Sequence, residues 1–232
     1  MISIYLGKGA DQQIRSVFPK SLFLSAKQLI HTDWDQTSKI LIMPGGRDCP
    51  YHEALQGAGN QKIRSFVERG GLYLGICAGA YYGCAEVDFD RGMPLEVVEK
   101  RGLCFFEGSG FGPAYGKGSF DYASQKGARA ARIQGLGMDF GVYYNGGCTF
   151  LGDALSFCQI IACYADLPSK PPAIIECKIG KGRVILSGVH IETQAKRLDP
   201  LDPFLAPIIP RLEASEPQRR IFLEKLLSSH LP

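Results

Sequence analysis

LYLGICAGAYYG, residues 72–83, decides how this chain is read: an apolar run ends at a cysteine, Cys77, with Gly75, Ala78, Gly79 and Ala80 around it. This is the pattern of a nucleophile elbow, in which a reactive side chain stands on a sharp turn between a buried strand and a helix, with room only for small neighbours. Cys77 would then sit at a helix N-terminus, where unpaired N–H groups and the helix dipole favour a thiolate. The same residues also suit a buried structural cysteine in a turn kept small for packing, so the flanking sequence has to decide.

Upstream, KILIM (39–43) is a continuous apolar run suited to a strand covered on both faces, and it stops at Pro44-Gly45-Gly46. A helix over 60–70 follows, with Ile63, Phe66 and Val67 at i, i+3 and i+4 and Gly70-Gly71 as its stop. Two such strand–turn–helix units predict parallel strands with right-handed crossovers, placing Gly45-Gly46 and Cys77 on one edge of a sheet. The N–H groups of Gly46 and Ala78 would converge there as an oxyanion hole. Residues 2–6 predict a first strand ending in Gly7-Lys8-Gly9, with a helix over 10–17. Gln12 stands where the third glycine of a dinucleotide fingerprint is required, so this turn is kept only as part of a pocket rim. Residues 21–30 suit either a strand or a short helix, and Asp33-Trp34-Asp35 reads as a polar loop.

Downstream, short strands are expected over 95–98 and 103–106, then a glycine-rich stretch GSGFGPAYGKG (108–118). It fails as a phosphate loop, since Gly118 follows Lys117 where Ser or Thr is needed, and it reads as a mobile loop or lid. Further strands are expected over 119–122, 128–133, 141–144, 159–164, 173–179 and 183–187, with hairpin character at Asn145-Gly146-Gly147 and a turn at Gly180-Lys181-Gly182. Prolines 200, 203, 207 and 210 exclude long regular structure, and 216–228 closes the chain as a helix with Phe222, Leu223, Leu226 and Leu227 on one face. Among the four histidines, His190 follows a buried hairpin and has Glu192 two residues on. In an extended segment those two side chains face the same way, completing a nucleophile, a base and its orienting partner. His31, His52 and His230 receive no role.

The 232 residues, 45% hydrophobic and 21% charged with a formal net charge of +3, suit one α/β domain over 1–232, with a Pro-rich extension and helix from about 198. No basic stripe interleaved with aromatics points to nucleic acid. Eight cysteines without any Cys-x-x-Cys pair argue against a zinc or redox site and for reduced packing residues; no metal or cofactor is expected. The start MISIYLGKG lacks the features of a signal peptide, and no apolar run reaches membrane-spanning length, so a cytoplasmic protein without membrane association is expected.

The pieces PGG, GICAG and HIE, in this order, resemble the class I glutamine amidotransferase-like superfamily. The resemblance implies a flavodoxin-like three-layer α/β/α sandwich with a mostly parallel central sheet and a Cys-His-Glu triad. PGGRDCPY (44–51), GGLYLGICAGAYYG (70–83), GARA (127–130) and VYYNGG (142–147) resemble more closely the N-terminal domain of eukaryotic-type biotin–protein ligases and its stand-alone relatives, from about residue 1 to 192. Carried over, Cys77 is the nucleophile, His190 the base and Glu192 its partner, with Gly46 and Ala78 as oxyanion donors. Two positions depart from working amidotransferases: Tyr81 stands where G-x-C-x-G-x-Q has its glutamine, and Ile191 replaces the proline of His-Pro-Glu. Gly45, Arg47, Tyr51, Tyr81, Tyr82 and Asn145 are accordingly candidate pocket residues for a ligand other than glutamine. No GRGRxG motif of the ligase catalytic domain occurs, so ligase activity, biotin and ATP are not expected of this chain. The expected function is a thiol hydrolase or amidotransferase-like enzyme acting on a small-molecule or other amide substrate, with a separately encoded biotin ligase as a candidate partner. The alternative is a non-catalytic ligand-binding or regulatory domain.

Overall fold

The structure, a computed structural model describing residues 1–228, is organised around a nine-stranded sheet. In chain order the strands are β1 (Ile2–Tyr5), β2 (Leu22–Leu24), β3 (Ile40–Met43), β4 (Leu72–Ile76), β5 (Cys84–Phe89), β6 (Val97–Lys100), β7 (Phe106–Gly112), β8 (Arg129–Gly135), β9 (Met138–Tyr144), β10 (Thr149–Leu151), β11 (Gln159–Tyr164), β12 (Pro172–Ile179) and β13 (Gly182–Ser187). The helices are α1 (Ile14–Val17), α2 (Ala26–His31), α3 (Trp34–Thr37), α4 (Cys49–Leu55), α5 (Ala58–Glu68), α6 (Ala78–Gly83), α7 (Ile209–Ala214) and α8 (Glu216–Leu227). The large sheet runs β2-β1-β3-β4-β13-β12-β11-β8-β9, and a second sheet runs β10-β7-β5-β6.

From β2 to β13 neighbouring strands are parallel, and from β13 to β9 they are antiparallel. The expected mostly parallel arrangement therefore describes only one half of the sheet, and connection length explains the other. Gly180-Lys181 alone joins β12 to β13, and Leu136-Gly137 joins β8 to β9; both are too short for the crossover a parallel pair needs. Leu136 and Gly137 have φ of 50° and 74°, the signs of a type I′ hairpin turn.

The apolar run of β4 is buried throughout because its alternate residues feed two cores. Leu72, Leu74 and Ile76 face Ile4, Ile42 and Ile185 together with Ile14 of α1 and Phe222 and Leu226 of α8. Tyr73 faces the opposite core, with Leu41, Val184 and Leu186, Leu55 of α4, Ile63 and Phe66 of α5, and Phe89, Phe106 and Phe150 of the second sheet.

Several expectations change. Residues 21–30 hold both a strand, β2, and a helix, α2, the latter begun by a Ser25–Gln28 capping box. The loop expected around Trp34 is the start of α3; its indole is buried and donates to Leu29 O at 2.8 Å, so the polar neighbours concealed a core residue. The strand expected at 95–98 lies at Val97–Lys100. The first part of 108–118 is β7, hydrogen-bonded to β5 and β10, rather than a lid. Its glycines admit the rings of Tyr81 and Phe106, since a Cβ at Gly112 would lie 1.8 Å from Tyr81 Oη and one at Gly108 2.5 Å from Phe106 Cζ. Residues 119–122 form no strand, and Asn145-Gly146-Gly147 crosses from one sheet to the other instead of closing a hairpin. The proline-bearing stretch holds no long element, as expected, although Pro210 lies in the first turn of α7; Leu205 and Leu212 pack with Ala130 and Tyr143, so the tail covers the antiparallel half of the sheet. Among the described residues no helix is long and apolar enough to cross a membrane.

Candidate active site

Three adjacent parallel strands bring the site together. Met43 of β3 pairs with Gly75 of β4, and Ser187 of β13 pairs with Ile76, so the chain leaves all three strands at one edge. Pro44-Gly45-Gly46, Cys77 and the segment reaching His190 follow these ends, where parallel sheets place ligands. Cys77 is the N-cap of α6 with φ of 49°, a conformation disfavoured for a residue with a Cβ. Neighbouring groups hold it there. Gly79 N–H donates to Pro44 O at 3.1 Å, Tyr73 Oη donates to Gly79 O at 2.7 Å, and Cys77 N–H donates to Ser187 O at 2.8 Å. Gly79 is required by this closeness, because a Cβ there would lie 2.0 Å from Met43 O.

His190 is 7% exposed and Glu192 4% exposed, and Nδ1 of the imidazole lies 2.9 Å from Glu192 Oε1. They meet within a turn closed by Thr193 N–H to His190 O at 3.2 Å, not through the extended segment expected. Burial by itself would push the imidazole pKa down; the Glu192 carboxylate and its hydrogen bond, with the neighbouring Cys77 thiol, more than offset this and hold it well above the ordinary histidine range. With Nδ1 taken by Glu192, Nε2 is the ring nitrogen left for the thiol. The glycine at 45 has its reason here: a Cβ would come 2.5 Å from His190 Cε1.

Cys77 Sγ also lies 3.7 Å from Asn145 O. The N–H groups of Gly46 and Ala78 have no hydrogen-bond acceptor among the described residues, leaving two unused donors on residues that line the same cavity as Cys77. That cavity is about 630 Å³, and Gly46, Arg47, Cys77, Ala78, Tyr81, Asn145 and His190 all line it. Gly45, Tyr51, Tyr82 and Glu192 do not. Tyr51 is fully buried behind the Pro44-Gly45-Gly46 loop and donates to Gly45 O at 2.9 Å, and buried Tyr82 donates to Asn60 Oδ1 on α5. These two expected pocket tyrosines are supports, turned inward because a helix following a strand must bury one face. Tyr81 does both jobs, lining the cavity and donating to Gly146 O at 3.1 Å.

Other site residues gave no signal in the sequence. Gln125 Oε1 accepts from Tyr143 Oη at 2.8 Å and Asn145 Nδ2 at 3.3 Å, tying the 119–127 loop to β9. Arg47 stacks on Tyr122 with 4.1 Å to the ring centroid. Val87, Phe89, Val97 and Phe120 give the cavity an apolar wall, supplied largely by the second sheet. Arg219 of α8, 5% exposed and paired with Glu216, donates to Ile191 O at 2.6 Å and so fastens the loop between His190 and Glu192. Its lone position in a surface-patterned helix is what concealed it. His230, given no role above, lies outside the described residues.

Residues 19–231 match the family described as biotin-protein ligase, N terminal, a match that takes in the tail which the motif resemblance left out. The chain is 44% identical over 169 residues to an uncharacterized protein of Chlamydia muridarum, covering 71% of this chain and 64% of that protein. It is 39% identical over 222 residues to the biotin–protein ligase of Schizosaccharomyces pombe, covering 87% of this chain and 34% of the ligase. The chain thus spans less than two thirds of either relative. Among solved structures it is similar to a chain in the structure of PurLQS from Thermotoga maritima, with TM-score 0.60 and 12% identity over 97% of this chain and 98% of that one. It is also similar to the cytoplasmic protein STM1381 from Salmonella typhimurium, with TM-score 0.53 and 9% identity over 100% of both. At these identities the likeness is one of fold.

Proposed function

The chain belongs to the biotin–protein ligase N-terminal family, and from that premise we propose that it is a cysteine-dependent hydrolase with a glutamine amidotransferase-like fold, acting on a carboxamide or related acyl compound. The observation that carries this reading is the meeting, at one cavity, of Cys77, a Glu192-bonded His190 and two unused N–H donors. His190 takes the proton of Cys77, and the sulfur attacks the acyl carbon, forming a C–S bond. The oxyanion is received by the Gly46 and Ala78 N–H groups, a type of donor whose loss costs about 10² to 10³ in turnover. Collapse breaks the C–N bond, with His190 giving its proton to the departing amine. Water, deprotonated by His190, then cleaves the thioester and frees the acid and the thiol. Tyr81 and the apolar wall favour an acyl group other than glutamine's.

The test is a panel of amides and esters offered to the wild type and to Cys77→Ala, with intact-mass detection of an acyl adduct. Turnover or an adduct on Cys77 in the wild type, absent from the variant, is the expected result. A wild type that neither turns over nor acquires an adduct on any compound, with its Cys77 no more reactive to iodoacetamide than in the His190→Ala variant, removes the hydrolase reading. A second reading rests on the coverage of the Schizosaccharomyces ligase: the chain acts as a regulatory domain that associates with a ligase catalytic portion. Co-elution of the two, and its loss on disrupting the chain's surface, tests that association separately from the chemistry.

A further inference from the structure

Away from the cavity, two of the eight cysteines face each other. Cys158 Sγ and Cys177 Sγ are 3.0 Å apart, and neither is in a disulfide. Their backbone positions follow from the sheet. Gln159 of β11 pairs with Glu176 of β12, so the antiparallel register sets Cys158, one residue before β11, opposite Cys177. Directly opposed residues of an antiparallel pair have Cα atoms about 4.5 to 5.5 Å apart, within the roughly 4.4 to 6.8 Å that a disulfide spans. Cys177 is 5% exposed, whereas Cys158 is only partly buried at the end of the short helical turn Asp153–Phe157. Cys158 packs against the edge of the main core, and of the two thiols it is the less buried.

We propose that Cys158 and Cys177 are a disulfide-forming dithiol, oxidised by small-molecule disulfides and independent of the Cys77 site. Cys158 is the entry thiol: its sulfur attacks one sulfur of the small disulfide, forming a mixed disulfide and releasing one small thiol, which carries away the Cys158 proton. Cys177 then attacks the Cys158 sulfur, forming the protein S–S bond and releasing the second small thiol with the Cys177 proton. Two protein thiols are oxidised and one small disulfide is reduced to two thiols. The division of labour follows from access, since burial and the adjacent Cys158 raise the Cys177 thiol well above its ordinary range and keep it from reacting first. The product ties the start of β11 covalently to β12.

The experiment uses the full chain carrying Cys77→Ser, which removes the candidate nucleophile from the count, incubated with oxidised glutathione. Thiols are titrated in denaturant and disulfide-linked peptides mapped by mass spectrometry. The expected result is a fall from seven titratable thiols to five, with residues 158 and 177 in one linked pair and reversal by dithiothreitol. Adding Cys158→Ser should leave six thiols unchanged, and Cys158→Ala repeats this with a side chain of different polarity. A glutathione adduct that stays on Cys158 with Cys177 free, a link involving any other pair, or no loss of thiols overturns the proposal. Because the site under test does not include Cys77, none of these outcomes depends on whether the chain hydrolyses an amide.

Discussion

The two walls of the cavity are built by different means. On one side, the ends of β3, β4 and β13 hold Gly46, Cys77 and His190 through main-chain bonds and contacts so close that Gly45 and Gly79 have no room for a Cβ. On the other, Phe89, Phe120 and Tyr122 are presented by the second sheet and by the 119–127 loop, whose turns are held by local bonds such as that from Ala123 N–H to Asp121 Oδ1 at 2.9 Å. The first wall fixes the groups to which the proposed chemistry is assigned, where small displacements would be costly. The second wall is held by ring contacts such as Phe89 on Phe120 and Phe120 on Tyr122, and it contributes surface rather than a reactive group. This contrast predicts that substitutions on the elbow side alter reactivity steeply and those on the facing side alter it little.

The largest effect is expected at His190. His190→Ala should slow iodoacetamide alkylation of Cys77, followed by peptide mass mapping, by about 10² to 10⁴. An unchanged rate would mean that the thiol is not activated by the imidazole. Gly45→Ala comes next, because its Cβ would press on the His190 ring. Alkylation should fall by about 10-fold to 10²-fold while circular dichroism stays native; a wild-type rate would show that the imidazole position is not set by this loop.

Glu192→Gln separates charge from shape. The folded His190 pKa is raised above its unfolded value of about 6.5, so its contribution to stability is fully present below that pH and is lost as pH rises through the higher folded value. The wild type should therefore lose urea stability from neutral pH upward. In the variant the Glu192 charge is gone, leaving burial opposed only by Cys77, so the loss above about pH 6.5 should shrink or vanish. Equal slopes for the two proteins would count against the Glu192 charge as the cause. The smallest effect is expected on the facing wall, where Tyr122→Ala removes the stacking partner of Arg47 and costs about 0.5 to 1 kcal/mol in thermal unfolding. Cys77 alkylation should be nearly unchanged, and a drop comparable to that of Gly45→Ala would erase the distinction between the walls.

Legibility followed the same division. The elbow side was readable because its demands are local: continuous apolar runs mark strands covered on both faces, glycines mark close approaches, and parallel neighbours end at the same edge. Even there, Tyr51 and Tyr82 were misread, since a short helix gives no periodicity long enough to tell the cavity face from the core face. The second sheet was poorly legible. Its β7 is glycine-rich because the rings of Tyr81 from α6 and of the strand's own Phe106 occupy the space of side chains, and in sequence that looks like a loop.

Sequence alone determined that a parallel α/β unit carries Cys77 at its elbow between a glycine turn and a His-x-Glu segment, because strand burial and turn sterics act over a few residues. Only the tertiary structure decided which tyrosines support and which line the cavity, that Arg219 from the far end of the chain holds the His190–Glu192 loop, and that Cys158 faces Cys177. Those depend on register and on packing between segments distant in sequence, where no local pattern records the partner.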